Sequence, residues 1–284
     1  MKVLAEVNAN AAISILHALG LGKGCSIGIN LKTTVRLVSE PQKVEGDFHN
    51  LLQTIEDIWG ENGYPLPEKF GWQIFSEIPI GQGLKSSSAI SCAAIKALNL
   101  ATWAGLTDSQ IVDIAVSSQI RCGCSVTGSM DDTWASISRG WKLIDSKKSA
   151  QESIILEGTI EDEISIFLIL RGKRDKKILS NEFNLQSRFF ERAHDSLIDG
   201  SIFQAISNNG MAVAVATGDD EAIRISNKLI SNGAIAAGIT GSGPAISVVC
   251  FIQDSDRIRE ILLEMDFEII ETNFIENDVL ELTK

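Results

Sequence analysis

Positive charge is scarce in this chain. Its 284 residues carry 25 Lys and Arg against 37 Asp and Glu, a formal net charge of −12, and no run of five basic residues occurs. A duplex nucleic acid or an anionic membrane surface repels such a balance unless a basic stripe offsets it, so neither is an expected partner. Histidine is scarcer still, with only His17, His49 and His194. Cys25, Cys92, Cys122, Cys124 and Cys250 form an odd, scattered set in a chain too long to depend on disulfides, which fits a reduced, cytoplasmic protein. Cys122-Gly123-Cys124 resembles half a metal site, but no second ligand pair stands at zinc-like spacing, so these thiols read as structural.

Secretion and membrane signals are missing too. Residues 7–22 are uncharged, yet Glu6 stands where a signal peptide needs a basic residue and no cleavage site follows. The uncharged stretch Leu229 to Gln253 is long enough to span a bilayer, but Thr240-Gly241-Ser242-Gly243-Pro244 at its centre would break a membrane helix. What is present, 44% apolar and 22% charged residues, is ordinary for a folded chain, and at ~150 residues per domain the length suggests about two domains or one large one.

The patterning alternates strands with helices. Ile27, Ile29, Leu31, Val35 and Leu37 follow a period of two, predicting a strand over about 25–39. Leu51, Leu52, Ile55, Ile58 and Trp59 have helical spacing, and Phe70, Trp72, Ile74 and Ile78 return to alternation. That second strand runs into Pro79-Ile80-Gly81-Gln82-Gly83-Leu84-Lys85-Ser86-Ser87-Ser88-Ala89, after which Ile90 to Trp103 is Ala-rich and helix-prone. Thr107 and Gln110 form a capping box that opens a helix to about Arg121, and Thr127 to Asp132 reads as a polar turn. Strands follow at 140–145, 153–158 and 164–170, then helices from 185 to 232 with breaks near Gly200 and Gly218. Strands at 234–239 and 245–252, a helix at 255–265 and a strand near 267–273 complete an α/β (α+β) alternation. The charged, non-periodic stretch at 145–153 places the domain boundary at 150, giving domains 1–150 and 151–284.

The order strand, glycine loop, helix at 70–103 points to phosphate. Such a loop presents unpaired N–H groups at a helix end that carries about half a positive charge. Gly81 and Gly83 let the backbone approach an anion without a Cβ between them. Ser86, Ser87 and Ser88 can cap the helix, bond a phosphate oxygen or ligate Mg²⁺, and Lys85 adds a cation. A plain helix cap would use the same residues. Neither familiar phosphate loop fits: the Lys follows Leu84 rather than Gly, and no third Gly stands at position 86.

The loop 79–89 resembles the ATP-binding signature of the GHMP small-molecule kinases, most nearly the archaeal-type shikimate kinases. Three further segments share the resemblance: Gly22-Lys23-Gly24 running into Gly28-Ile29-Asn30, Val126-Thr127-Gly128-Ser129-Met130-Asp131-Asp132, and Thr240-Gly241-Ser242-Gly243-Pro244. It implies a two-domain GHMP kinase-like fold with the active-site cleft between the domains. It also implies ATP phosphates on residues 79–89 and transfer of the γ-phosphoryl group to a hydroxyl, that of shikimate at position 3. By position, Ser87 corresponds to the serine that ligates Mg²⁺, Asp131 to the catalytic base and Lys23 to a catalytic lysine on the substrate side. Gly241, Ser242 and Gly243 correspond to the turn beside the phosphate loop and the acceptor. Relatives of the mevalonate kinase type carry a Glu about eleven residues before the base, where Ile120 stands here; Asp132 is therefore taken as the second metal ligand.

Asp131 also has independent support. Phosphoryl transfer needs positioning, charge neutralisation and a group that accepts the acceptor's proton, and a carboxylate can take that proton as the O–P bond forms. Without the resemblance, two carboxylates capping the next helix would be the plainer reading. An acceptor bearing a carboxylate favours an Arg fork; Arg36, Arg121, Arg139, Arg171 and Arg174 are the candidates, with Arg139 chosen for lying seven residues after the Asp pair. A homoserine or other GHMP kinase, and a non-catalytic nucleotide-binding protein, are the alternatives. Oligomeric state is open.

Overall fold

The computed structural model describes residues 1–42, 44, 47, 49–172 and 180–275. The first half holds β1 (Val3–Leu16), α1 (Ala18–Leu21), β2 (Lys23–Val38), α2 (Leu51–Glu61), β3 (Gly71–Ser76), α3 (Ser86–Thr102), α4 (Asp108–Arg121), α5 (Met130–Ile137), β4 (Trp141–Asp145), α6 (Ala150–Ser153) and β5 (Ile154–Gly158). The second holds β6 (Ile164–Leu170), α7 (Ser180–Leu185), α8 (Ser187–Ile198), α9 (Ile202–Thr217), α10 (Asp220–Ile230), β7 (Ala236–Ile239), β8 (Ile246–Phe251), α11 (Ser255–Leu263) and β9 (Glu268–Thr272). The five strands of the first half form one sheet in the order β1-β2-β4-β5, with β3 also paired to β2, and the other four form a second sheet in the order β7-β8-β6-β9.

Because β5 pairs with β4, the break between the sheets falls between Gly158 and Ile164 rather than at 150. The chain then returns: Phe274 bridges to Ile29, and Asn30 N–H donates to the Asn273 carbonyl, so the last strand leads back into the first sheet. One apolar core runs through both halves, from Ile13, Ile15 and Ile29 to Phe167, Phe190 and Val248.

β1 is the element that patterning missed. From Val3 to Asn8 it is exposed or half-buried, while from Ala11 to Leu16 every residue is buried, so no alternation marks its inner part. Burial on both faces removes the period of two. Its Asn, Ala and Ser content is also poor in β-branched and aromatic signal. The uncharged stretch that mimicked the middle of a signal peptide is therefore the buried part of β1, which lies at the end of the first sheet's strand order, followed by α1.

Small residues allow the closest contacts. On α9, a Cβ added to Gly210 would lie 2.3 Å from Gly238 Cα on β7, so helix and strand touch backbone to backbone. Gly210→Ala is expected to destabilise the chain by about 1–3 kcal/mol through overpacking. Gly60→Ala on α2, where nothing lies within 4 Å of the added methyl, is expected to stabilise it by about 0.5–1 kcal/mol. Urea unfolding of the two variants checks both signs.

Candidate active site

Two helix starts face one cavity of about 610 Å³. Its walls include Ile80, Gly81, Gly83, Leu84, Lys85, Ser86 and Ser87 of the glycine loop, residues 124–127, Ser129, Asp131 and Asp132 at the start of α5, Gly241 and Ser242, and Ser14 and His17 from the end of β1. The loop turns through left-handed backbone at Gly81 (φ 76°), Gly83 (φ 81°) and Lys85 (φ 69°), and α3 begins at Ser86. The first helical bond runs from Ala89 N to the Lys85 carbonyl, so the N–H groups of Ser86, Ser87 and Ser88 precede the ladder.

The loop is held from the other half of the molecule. A Cβ on Gly83 would sit 2.3 Å from the Thr240 carbonyl oxygen, and one on Gly241 would sit 2.7 Å from the Gly83 carbonyl oxygen. These two turns therefore need glycine to approach each other. Gln82 faces away from the cavity: its side chain donates to the Gly172 carbonyl and accepts from Arg171 N–H, and its own carbonyl accepts from Ala245 N–H. Of the loop residues expected at the nucleotide, Pro79, Gln82, Ser88 and Ala89 do not line the cavity.

At the opposite wall, Asp131 and Asp132 are 4% and 7% exposed. Lys85 Nζ lies 2.8 Å from Asp132 Oδ1 and donates to Ser14 Oγ at 2.8 Å. Lys85 is thus not solvent-facing; it is the counter-ion of the acidic pair. Ser26 Oγ lies 2.7 Å from Asp132 Oδ1 and 2.9 Å from Asp131 Oδ2. One hydroxyl carries one proton, so it makes a full hydrogen bond with both oxygens only if one of the two carboxyls is protonated and donates back to Ser26. The charges agree. Burial, and then the neighbouring Asp132 carboxylate, push the Asp131 carboxyl up to about 7, against the lowering effects of Lys85 and the Ser26 hydroxyl. Gly24 makes room for it: a Cβ there would lie 2.6 Å from Asp131 Cγ.

Gln119 is the site residue that sequence reasoning missed. Wholly buried, it accepts from the hydroxyls of Ser87 and Ser88 at 3.1 Å each through Oε1. Its Nε2 donates to the Gly128 carbonyl at 3.3 Å and to Thr133 Oγ1 at 3.2 Å. All four hydrogen-bonding positions are used, and a Glu would set a carboxylate against the Gly128 carbonyl. The signal was one residue away, since spacing from Asp131 led to Ile120, which is half exposed.

Other expected residues lie elsewhere. Lys23 opens β2 with Nζ 3.4 Å from His194 Nε2, and Arg139 is exposed at the turn from α5 to β4; neither lines the cavity, nor does Gly243, which packs behind Gly83. Arg171 is committed to Asp219 and Glu221, Arg121 to Glu61, and Arg36 to Glu6, while Arg174 lies outside the described residues. Among the described residues, no Arg borders the cavity. Nor does any group of three or more His, Cys, Asp or Glu form a metal cage among them.

The GHMP kinases N terminal domain family matches residues 48–140. A shikimate kinase of Pyrococcus abyssi is 32% identical over 267 residues, covering 89% of this chain and 92% of that protein. One of Thermococcus kodakarensis is 28% identical over 258 residues, covering 86% and 91%. In fold, the Methanococcus jannaschii mevalonate kinase matches with a TM-score of 0.75 at 17% identity, covering 95% of this chain and 98% of that one. The Lactococcus lactis galactokinase complexed with galactose also gives 0.75, at 10% identity, covering 95% and 93%.

Removing the ammonium should be costly. Lys85→Met leaves two buried carboxylates without a counter-ion and is expected to lower stability by about 3–5 kcal/mol. Lys85→Met combined with Asp132→Asn is expected to recover a large part of that loss. Urea unfolding at neutral pH checks the order.

Proposed function

The chain belongs to the shikimate kinase family of the GHMP kinases, and on that premise we propose that it transfers the γ-phosphoryl group of ATP to the 3-hydroxyl of shikimate, with Asp131 as the base. The family makes it an ATP-dependent phosphotransferase. Shikimate as the acceptor is carried by relatives aligned over nearly the whole chain. The base is supported by one observation: a buried carboxyl that borders the same cavity as the glycine loop, where burial and the Asp132 carboxylate push it up to about 7.

The phosphates are assigned to the N–H groups of Ser86 and Ser87 and the Ser86 hydroxyl, where the start of α3 favours negative charge and Gly81 and Gly83 allow close approach. The donors around them are hard oxygens, the Ser87 hydroxyl and the Asp132 carboxylate, which fits a Mg²⁺ that arrives with ATP and takes most of its shell from phosphate and water. Such an ion would neutralise charge on the transferring group. Asp132 is shared with Lys85, so Ser87, oriented by Gln119, is the simpler protein ligand. Of the expected substrate residues, Gly241 and Ser242 remain candidates because they border the cavity. Lys23 and Arg139 are left without a proposed role in the reaction.

In the chemical step, the acceptor oxygen forms its bond to the γ-phosphorus while the bond to the ADP oxygen breaks and ADP leaves with that electron pair. Asp131 takes the hydroxyl proton. A base with pKa near working pH is partly ionised and still basic enough to receive it. Lys85 keeps Asp131 from rising further, and Gly24 sets where its carboxyl sits. Among the described residues no helix is long and apolar enough to cross a membrane, and the five free thiols fit a reducing compartment such as the cytoplasm.

Phosphorylation measured across shikimate, homoserine, mevalonate and galactose should proceed with shikimate; turnover of another compound with shikimate inert would reject the assignment. Asp131→Asn is expected to keep ATP binding in calorimetry and lose about 10²–10⁴-fold in kcat. Because Asp131 acts only when ionised, kcat/KM should rise with pH through about 7 in the native chain. In Lys85→Met the lost ammonium raises that pKa further and moves the limb to higher pH. A limb that stays in place would remove Asp131 or Lys85 from the step.

A further inference from the structure

Cys122 and Cys124 have no part in phosphoryl transfer, yet they are placed as a reactive pair. Their Sγ atoms lie 3.2 Å apart, closer than two unbonded sulfurs usually rest, and both thiols are free. The helix α4 ends at Cys122, and Gly123 (φ 75°) turns the chain back, with open space where a side chain would be. This turn carries Cys124 round to Cys122. Both residues are half-buried and so within reach of a small reagent, whereas Cys25, Cys92 and Cys250 are buried.

The pair is also coupled to the cavity. Cys124 borders it, together with Ser125, Val126 and Thr127. Cys122 Sγ lies 3.7 Å from the Gln119 carbonyl oxygen, which also accepts from Ser125 N–H at 3.2 Å. The same Gln119 holds Ser87 and Ser88 of the phosphate helix. Cys124 is therefore part of the cavity wall, while Cys122, outside the wall, lies beside the backbone of Gln119.

We propose that Cys122-Gly123-Cys124 is a modification site that a small-molecule disulfide oxidises to an intrachain disulfide, and that the bridge weakens nucleotide binding in the adjoining cavity. In the reaction one thiolate attacks a sulfur of the reagent RSSR, forming a mixed disulfide and releasing one RSH. The other cysteine then loses its proton and displaces the second RSH, so two protein S–H bonds are exchanged for one S–S bond and the reagent is reduced to two thiols. Burial and the adjacent Cys122 push the Cys124 thiol up to about 12. The bridge needs an S–S bond of about 2.05 Å. Starting from 3.2 Å, closing it draws Cys124 off the cavity wall. A ring closed across a single glycine is small and strained, the property of labile rather than structural disulfides.

The functional half of this inference rests on the cavity being the ATP site; the chemical half does not, and the two are read separately. The full chain, treated with oxidised glutathione at neutral pH, is examined by intact mass and peptide mapping, and ATP affinity is measured by calorimetry, which needs no acceptor. The expected result is the loss of two hydrogens in mass, mapped to the 122–124 peptide, with ATP affinity several-fold weaker and restored by dithiothreitol. In Cys122→Ser, which leaves basal ATP binding unchanged, no bridge forms and glutathione has no effect on affinity. An unchanged mass, a stable glutathione adduct in place of the bridge, or a bridge involving another cysteine would overturn the site. A bridge at 122–124 that leaves ATP affinity unchanged, or an equal loss of affinity in Cys122→Ser, would overturn its coupling to the cavity. Failure of the shikimate assignment alone would leave every one of these readouts intact.

Discussion

One ammonium set against two buried carboxylates governs this site. Lys85 reaches from the glycine loop to Asp132 on α5 and Ser14 on β1, so a single side chain joins three elements around the cavity. Two carboxylates and one ammonium leave a surplus negative charge in a place where charge is expensive. That surplus charge and burial push the Asp131 carboxyl up to about 7, and the Ser26 hydroxyl lies within hydrogen-bond distance of both carboxyls. The arrangement that makes folding costly at this point is the one that gives a carboxylic acid useful basicity near neutral pH.

The rest of the site brings the glycine loop to the same cavity as that carboxyl. The glycine loop belongs to the first half of the chain, yet Gly83 rests on Thr240 and Gly241, and Gln82 is bonded to residues 171, 172 and 245 of the second. Gln119 ties the serines of α3 to the turn before α5. The strongly acidic surface is consistent with anionic substrates because the attraction they need is local. It comes chiefly from helix starts and main-chain N–H groups, since Lys85 is already committed to the acidic pair.

The alternation of Ile27 to Leu37, the Thr107 capping box and the glycine loop were legible because each is a local rule written in neighbouring residues, and the elements appear within a few residues of expectation. β1 was not, since burial on both faces erased its pattern. The charged stretch 145–153 holds the end of β4 and the short helix α6, and β4 pairs with β5 beyond it, so the first sheet runs on to Gly158. At the site, Asp131, Ser87 and the glycines could be read from motif spacing. Gln119 could not: its role comes from four hydrogen bonds to residues far apart in the chain. The role of Lys85 was equally hidden, because a lysine in a phosphate loop suggests phosphate until the neighbouring carboxylates are seen.

The shared proton can be observed without any substrate. Carbon-13 NMR of the chain labelled at aspartate Cγ, titrated from pH 4 to 9 and assigned with Asp131→Asn, follows each carboxyl in turn. The resonance lost in that variant is expected to titrate near 7. If it instead titrates in the ordinary carboxylate range near ~4, the buried acidic pair does not hold a proton and Asp131 is not tuned as a base.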